Sequence, residues 1–334
     1  MIRDNWRAKY KNLIAEATSP EFATLVELYD TIVKATYKFF EDNELKYIPV
    51  PATTISASSP IGPGSDSAPV VIQINDRSVL LTDSAQFHLE CACRSFREGC
   101  FYCGHSFRDE EPDKRHLSQF SHVEAEILGT LDDVKTLVER YLRYLVEYVW
   151  GKAEGCLAGL PGISGRIFSM LNEKSQFRSI SFREAIKMLG SHENALRILE
   201  NGNFIITPAG EMILLEKFGE FLWIERWDIM AVPFYQAIDR EQGFALNADL
   251  LFGIGEVVGA GQRHTESDDL EQSLNEHGLL TDDYKWYIEM KRQFPLQTAG
   301  FGMGIERFLL WLLDLKDIRS VELFPRNRLQ GGEI

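Results

Sequence analysis

The sequence predicts an α+β chain, on three observations. Strand-like runs come in pairs joined by tight turns, as in "VVIQIN" and "RSVLLT" around Asn75-Asp76, and "ALNADLLF" and "EVVGAGQRH" around "GIG". Long amphipathic stretches with helical periodicity separate these pairs. Short, well-capped helices interrupt the pattern between about 151 and 220.

Residues 1–20 read as an N-terminal extension to one large domain of residues 21–334. Ser19-Pro20-Glu21 opens a helix, with a cap followed by proline at the first helical position. Phe22, Leu25, Val26, Tyr29, Ile32, Val33, Tyr37 and Phe40 then form its apolar stripe. The segment "IPVPATTISASSPIGPGSDSAP" is an ordered, irregular loop, followed by the Asn75-Asp76 hairpin and a short helix in "SAQFHLECACRSF". "CFYCGHSFRDE" and "SQFSHVEAEILG" are strands joined by the polar loop "EPDKRHL". A long helix follows from Asp133 to about Trp150.

The stretch from 151 to about 220 reads as an inserted helical subdomain. Ser181 and Glu184 make a capping box stopped at Gly190, and Pro208 opens a helix that Gly219 ends. "EFLWIERW" and the "GIG" hairpin return to strand. Asp268 to His277 and Asp282 to Phe294 are helices, and "GFGMGIERFLLWLLDL" is a glycine-rich turn feeding a last helix.

Composition narrows the function classes. Fifty acidic against 35 basic residues leave a net charge of -15, which weighs against extensive nucleic-acid contact but permits a local basic patch. The most apolar helix is opened by Arg307 and closed by Asp314, too short for a membrane span. The N-terminus lacks a secretory pattern, so a cytoplasmic protein is expected. Cys91, Cys93, Cys100, Cys103 and Cys156 are odd in number, against a disulfide framework. Their helix and strand spacings do not converge, so no zinc is expected.

Three constellations carry chemistry. In "FRDEEPDKRHLSQF", Arg108 and Glu110 lie two apart on a strand and share a face. Arginine suits bidentate binding of phosphate. Arg115 and His116 in the loop reach a second anionic group, and Phe120 offers a face for a base. The bland alternative is a solvated, salt-bridged hairpin, given about equal weight on this segment alone. In "GFGMGIERF", Arg307 sits in the first turn of a buried helix, where a cation opposes the helix dipole. A phosphate there resolves the conflict, and Gly300, Gly302 and Gly304 let the backbone approach it. The alternative is an Arg307–Glu306 or other carboxylate pair. In "NADLLFGIGEVVGAGQRH", Asp249 and Glu256 flank a tight turn and suit a hard divalent cation bridging phosphates. Arg263 faces space left by Gly259 and Gly261, fit for a small carboxylate or carboxamide. An ordinary hairpin with a surface arginine is the alternative.

In this order, these pieces resemble the catalytic core of class II aminoacyl-tRNA synthetases. "FRDEE…RHLSQF" is similar to the family's second motif, "GFGMGIERF" to its third, and the helix from Phe22 into "IPVP" to a weak first. "LTDSAQFHLE", "RHLSQFSHVEAEI", "GIGEVVGAGQRH" and "DIRSVELFPRN" resemble the aspartyl/asparaginyl branch, over roughly residues 20 to 330. The resemblance implies an antiparallel sheet flanked by helices, a homodimer, and ATP with Mg²⁺. Arg108 would hold the α-phosphate and activated carboxylate, Glu110 the adenine amine, and Phe120 the adenine ring. Arg115 or His116 with Arg307 would hold the γ-phosphate, and Gly304 lies beside them. Glu256, with Asp249, would hold Mg²⁺, making Arg108, Arg307 and Glu256 the catalytic set. Ser84 and Gln86 would line the amino-acid pocket, and Arg263 would read an aspartate or asparagine side chain.

Asp83, Gln119 and His264 depart from the branch's usual residues. Only about 20 residues precede the first motif, fewer than an anticodon-binding barrel needs. The expectation is therefore activation of aspartate or asparagine as an acyl-adenylate, with transfer to ammonia or a small amine. A minimal tRNA-charging enzyme and a non-catalytic amino acid or nucleotide sensor are the alternatives. Retention of Arg108, Glu256 and Arg307 argues against the sensor.

Overall fold

The computed structural model describes residues 13–58, 68–157, 162–173, 175–199 and 202–324. The start of the N-terminal extension, part of the Pro/Gly-rich loop, the Cys156 side chain and the end of "DIRSVELFPRN" lie outside the described residues.

Helix α1 (Pro20–Asp42) starts where expected, with the Ser19 hydroxyl accepting from the Phe22 N–H at 3.1 Å. Its buried side holds Leu25, Leu28, Ile32, Phe39 and Phe40. Val26 and Tyr37, expected in the same stripe, stay 40% and 36% exposed. Strands β1 (Lys46–Tyr47) and β2 (Thr53–Thr54) lead to the hairpin β3 (Val71–Ile74) and β4 (Arg77–Leu81). Asn75 and Asp76 both take positive φ there, 48° and 61°, the geometry that closes a two-residue hairpin. Then come α2 (Gln86–Ala92), β5 (Cys100–Phe107), β6 (Gln119–Leu128) and the long α3 (Leu131–Leu157).

The segment expected to be a helical insertion is only partly helical. It holds α4 (Ile163–Asn172), β7 (Arg178–Ser181), α5 (Phe182–Leu189), the hairpin β8 (Leu196–Ile198) and β9 (Phe204–Ile206), and α6 (Pro208–Phe218). The Ser181/Glu184 capping box forms as read. However, β7 pairs in parallel with β10 (Leu222–Glu225), so the segment is woven into the main sheet. After β11 (Ile238–Asp239) and β12 (Phe244–Ala245) come β13 (Asn247–Phe252), β14 (Gly255–Gln262), α7 (Ser267–Glu276), α8 (Lys285–Gln293), β15 (Thr298–Gly304) and α9 (Ile305–Leu313).

The eight-stranded sheet runs β1-β5-β6-β15-β14-β13-β10-β7, antiparallel except at its two ends. One expectation fails here: "GFGMG" is not a turn. It lies in the central strand β15, paired with β6 and β14, and α9 follows directly at Gly304.

Alternation along the strands divides the sheet into two chemical faces. Val123, Ala125, Ala248, Leu250, Val258, Ala260, Ala299, Phe301 and Met303 join the main core beneath α1 and α3. There Phe40 stacks on Phe101 and Tyr141, at 4.8 and 5.2 Å between ring centres. Their strand neighbours on the opposite face are His122, Glu124, Glu126, Asn247, Asp249, Gly259, Gly261, Gly300 and Gly302.

Candidate active site

The polar face carries two adjoining cavities that share Arg108, His122, Glu256 and Gly302. Glu110, Arg115, His116, Phe120, Gly304 and Arg307 line the first. Ser84, Gln86, Asp249 and Arg263 line the second. The residues expected to hold ATP, the metal and the amino acid therefore line two adjoining cavities.

Arg108 lies just past the end of β5, not within the strand as expected. Its backbone N–H still bonds to the Ser118 carbonyl at 3.0 Å, which continues the ladder. The guanidinium lies 5.3 Å from the centre of the Phe120 ring and has no ion-pair partner among the described residues. Its Nε is buried without a hydrogen bond among the described residues. A cation in a cleft with no carboxylate bonded to it suits an anionic ligand.

Arg307 enters the same cavity from the first turn of α9. It donates to the Glu256 carbonyl at 2.9 Å, with the Glu256 carboxylate at 3.5 Å. The alternative Arg307–Glu306 pair does not form, but a pair with another carboxylate does, to Glu256 at 3.5 Å. Glu306 turns back and accepts from the Ser121 N–H at 2.9 and 3.0 Å. Burial pushes its carboxyl up to about 7. No side chain caps the start of α9. Arg115 pairs with Glu211 at 2.8 Å, and His116 sits 3.0 Å from Asp113. Glu211 comes from α6, so the interrupting segment supplies a charge to the site.

Asp249 and Glu256 converge over Gly259. A side chain there would place its Cβ 3.6 Å from an oxygen of each. Burial, then the Glu256 and Glu211 charges, raise the Asp249 carboxyl well above its usual range. Burial acts on Glu256 the same way, but Arg307, Arg115 and Arg108 outweigh it and hold that carboxyl down. Two carboxylates aimed at one point, with cations beyond, match the donor set of Mg²⁺ on a polyphosphate. No group of three or more His, Cys, Asp or Glu suited to a metal occurs among the described residues. Cys93 is buried, with its thiol donating to the Glu126 carbonyl at 3.2 Å, while Cys91 is exposed.

In the second cavity Arg263 is not free. Its Nε and Nη2 donate to Glu126 at 3.0 and 2.9 Å, and its Nη1 donates to Gln236 Oε1 at 3.1 Å. The Tyr235 ring lies below the guanidinium, 5.5 Å away. Nearby, Glu124 accepts from the Ser84 hydroxyl and from the Ala85 N–H at 2.6 Å. Gln86 interacts with the Tyr235 hydroxyl on this wall, and Asn247 Oδ1 is buried without a hydrogen-bond partner among the described residues, so the wall fits a polar ligand better than an apolar one. His264 points away to the Phe234 carbonyl at 3.2 Å. Burial, then Lys291, depress it to about 4, which leaves it uncharged near neutrality.

The glycines have a use beyond the one expected. A Cβ at Gly300 would fall 1.8 Å from Glu126 Oε2, and one at Gly302 would fall 2.7 Å from His122 Nε2. Gly300 and Gly302 clear space for polar side chains crossing the sheet, while Gly302 and Gly304 line the cavities.

The sequence reading missed His122, Glu124, Glu126, Glu211 and Gln236. The first three were visible in principle: "SHVEAEI" puts His, Glu and Glu two apart on one strand face, the alternation used for Arg108 and Glu110. Glu211 and Gln236 come from other elements and carry no local signal.

The chain matches the family described as tRNA synthetases class II (D, K and N) over residues 5–328. It is 27% identical over 330 residues to an asparagine–tRNA ligase of Desulfitobacterium hafniense, covering 92% of this chain and 71% of that protein. It is 30% identical over 315 residues to the asparagine–tRNA ligase of Lactobacillus delbrueckii subsp. bulgaricus, covering 92% and 70%. Among solved structures, asparaginyl-tRNA synthetase from Pyrococcus horikoshii complexed with asparaginyl-adenylate superposes with a TM-score of 0.84 at 24% identity. The superposition covers 96% of this chain and 72% of that one.

Proposed function

The chain belongs to the class II tRNA synthetase family of the D, K and N type, a family of ATP-dependent ligases, and from that premise we propose that it activates asparagine as an aminoacyl-adenylate. The supporting observation is the Arg263–Glu126–Gln236 cluster beside a cleft of free and half-paired arginines. A lone guanidinium at the pocket floor would favour aspartate. Glu126 cancels that charge, and His264 adds none, so a neutral carboxamide is the better fit.

In this reading ATP lies in the first cavity, with adenine between Glu110 and Phe120, and the outer phosphates against Arg115, His116 and Arg307. Ser84, Gln86 and Arg263 line the place of the amino acid. Its carboxylate oxygen attacks the α-phosphorus, the bond to pyrophosphate breaks, and Arg108 holds the charge that builds on the phosphoryl oxygens. Positioning and charge neutralisation supply the acceleration. Asp249 and Glu256 would hold Mg²⁺, which neutralises the leaving pyrophosphate.

For the acceptor, the names of the relatives support tRNA over the ammonia or small amine favoured by the sequence reading. The exposed Val26 and Tyr37 of α1, with Tyr47, support a homodimer. The membrane reading stays narrow: among the described residues, no helix is long and apolar enough to cross a bilayer. Pyrophosphate exchange across amino acids tests the first step. Product mass spectrometry with tRNA, ammonia and amines tests the second. Exchange that does not depend on asparagine or aspartate would refute the reading.

A further inference from the structure

We propose that Gln236 is a selectivity residue that turns the Arg263 pocket from carboxylate to carboxamide recognition. This rests on the activation reading above. A guanidinium has donors only, so the Gln236 atom facing Arg263 Nη1 at 3.1 Å is the carbonyl Oε1. The orientation of the amide is thereby forced. Its two N–H donors bond to no group among the described residues, and the side chain lines the second cavity at 9% exposure. Glu126 takes Nε and Nη2 of Arg263, and Gln236 takes Nη1. Three of the five guanidinium donors are thus engaged, and one N–H on Nη1 and one on Nη2 remain. Beside the charge-neutralised arginine, the cavity is faced by a neutral amide donor, with Asn247 Oδ1, unpartnered among the described residues, on the same wall.

That pairing suits a carboxamide. Its oxygen accepts from Gln236, and its nitrogen donates to an acceptor on the wall. A carboxylate brings two acceptors and a charge to a wall whose cation is already neutralised.

The backbone has made room for this arrangement. Gln236 and Arg263 face each other in an isolated β-bridge, and Gln236 reaches across Gly261. A Cβ at Gly261 would fall 1.9 Å from Gln236 Oε1, and its three nearest atoms all belong to the Gln236 amide. The glycine is therefore the permission for the Gln236 contact.

Pyrophosphate exchange with asparagine and with aspartate, compared for three variants, tests the proposal. Gln236→Leu uncovers Arg263 Nη1 and removes the amide donors. The kcat/KM ratio of asparagine to aspartate should fall at least tenfold, chiefly through a higher KM for asparagine, while the KM for ATP stays within twofold. Gln236→Glu keeps the acceptor on Arg263 but loses the donors, and should lose asparagine without gaining aspartate. Gly261→Ala leaves Gln236 in the chain but displaces it, and should shift the ratio in the same direction as Gln236→Leu. It carries the test if the leucine variant does not fold. A ratio within twofold of wild type in Gln236→Leu or Gly261→Ala overturns the proposal. Wild-type protein with no exchange on either amino acid overturns the activation reading on which it stands.

Discussion

Arg263 and Glu126 form an ion pair withdrawn from solvent, with side chains 4% and 1% exposed and a shortest contact of 2.9 Å. Arg263 lies just beyond the end of β14 and Glu126 lies on β6, and β15 passes between them as Gly300 in the gap. The pair therefore clamps three strands across the floor of the second cavity.

Replacing Arg263 by leucine should for this reason do more than erase amino-acid discrimination. It strands a buried carboxylate, at a cost of about 3–5 kcal/mol. Adding Glu126→Gln removes the orphaned charge and should recover more than half of the loss. Urea unfolding of the single and double variants measures both. A single variant within about 1 kcal/mol of wild type would show that the pair contributes little to the fold.

Arg108→Ala should behave in the opposite way. Arg108 has no carboxylate partner among the described residues, so its removal strands nothing. Thermal stability should stay near wild type while pyrophosphate exchange falls by about 10²–10³, as for loss of one charge-stabilising group. Exchange within threefold of wild type would remove Arg108 from the phosphate site.

Asp249→Asn should separate metal dependence from stability. Asp249 is raised well above the usual carboxylate range by burial, then by Glu256 and Glu211. The folded state thus holds a proton that the unfolded chain releases, and stability falls as pH rises above the unfolded value. Asparagine removes that loss, so the metal-free variant should melt higher than wild type at pH 8. The Mg²⁺ concentration for half-maximal exchange should rise at least tenfold. An unchanged Mg²⁺ requirement would exclude Asp249 as a ligand.

Glu306 predicts a further pH dependence. Burial raises its folded carboxyl to about 7, from an ordinary value of 4.5. Between these two values the native state keeps a proton that the unfolded state has lost. Stability therefore decreases as pH rises through that window and levels off above about 7. The full span is on the order of 3 kcal/mol. The buried His122 and His264, depressed to about 3 and about 4, act in the opposite sense, losing stability as pH falls below their unfolded value of 6.5. The difference between wild type and Glu306→Gln isolates the carboxylate. It should change steadily from pH 5 to about 7, and a flat difference would refute the assignment.

The one-dimensional pattern was enough for whatever is decided locally. Helix starts at Ser19 and Ser181, hairpins at Asn75-Asp76 and Gly253, and the apolar stripe of α1 apart from Val26 and Tyr37 follow from caps, turn residues and period, which act over a few neighbours. The two arginine-bearing motifs were legible because each keeps its cations within a short stretch of chain. The pairing of those cations could not be read in this way. Glu126 reaches Arg263 across 137 residues of sequence, Gln236 across 27, and Glu211 reaches Arg115 across 96. Sheet order alone brings them together. The same reason explains the misread "GFGMG". Glycines in sequence suggest a turn, and only their place in the central strand, beneath Glu126 and His122, shows that they leave room for charge. Whether a buried arginine is a free selector or half of a neutral pair depends on what the adjacent strand carries, and strand adjacency is a property of the folded sheet.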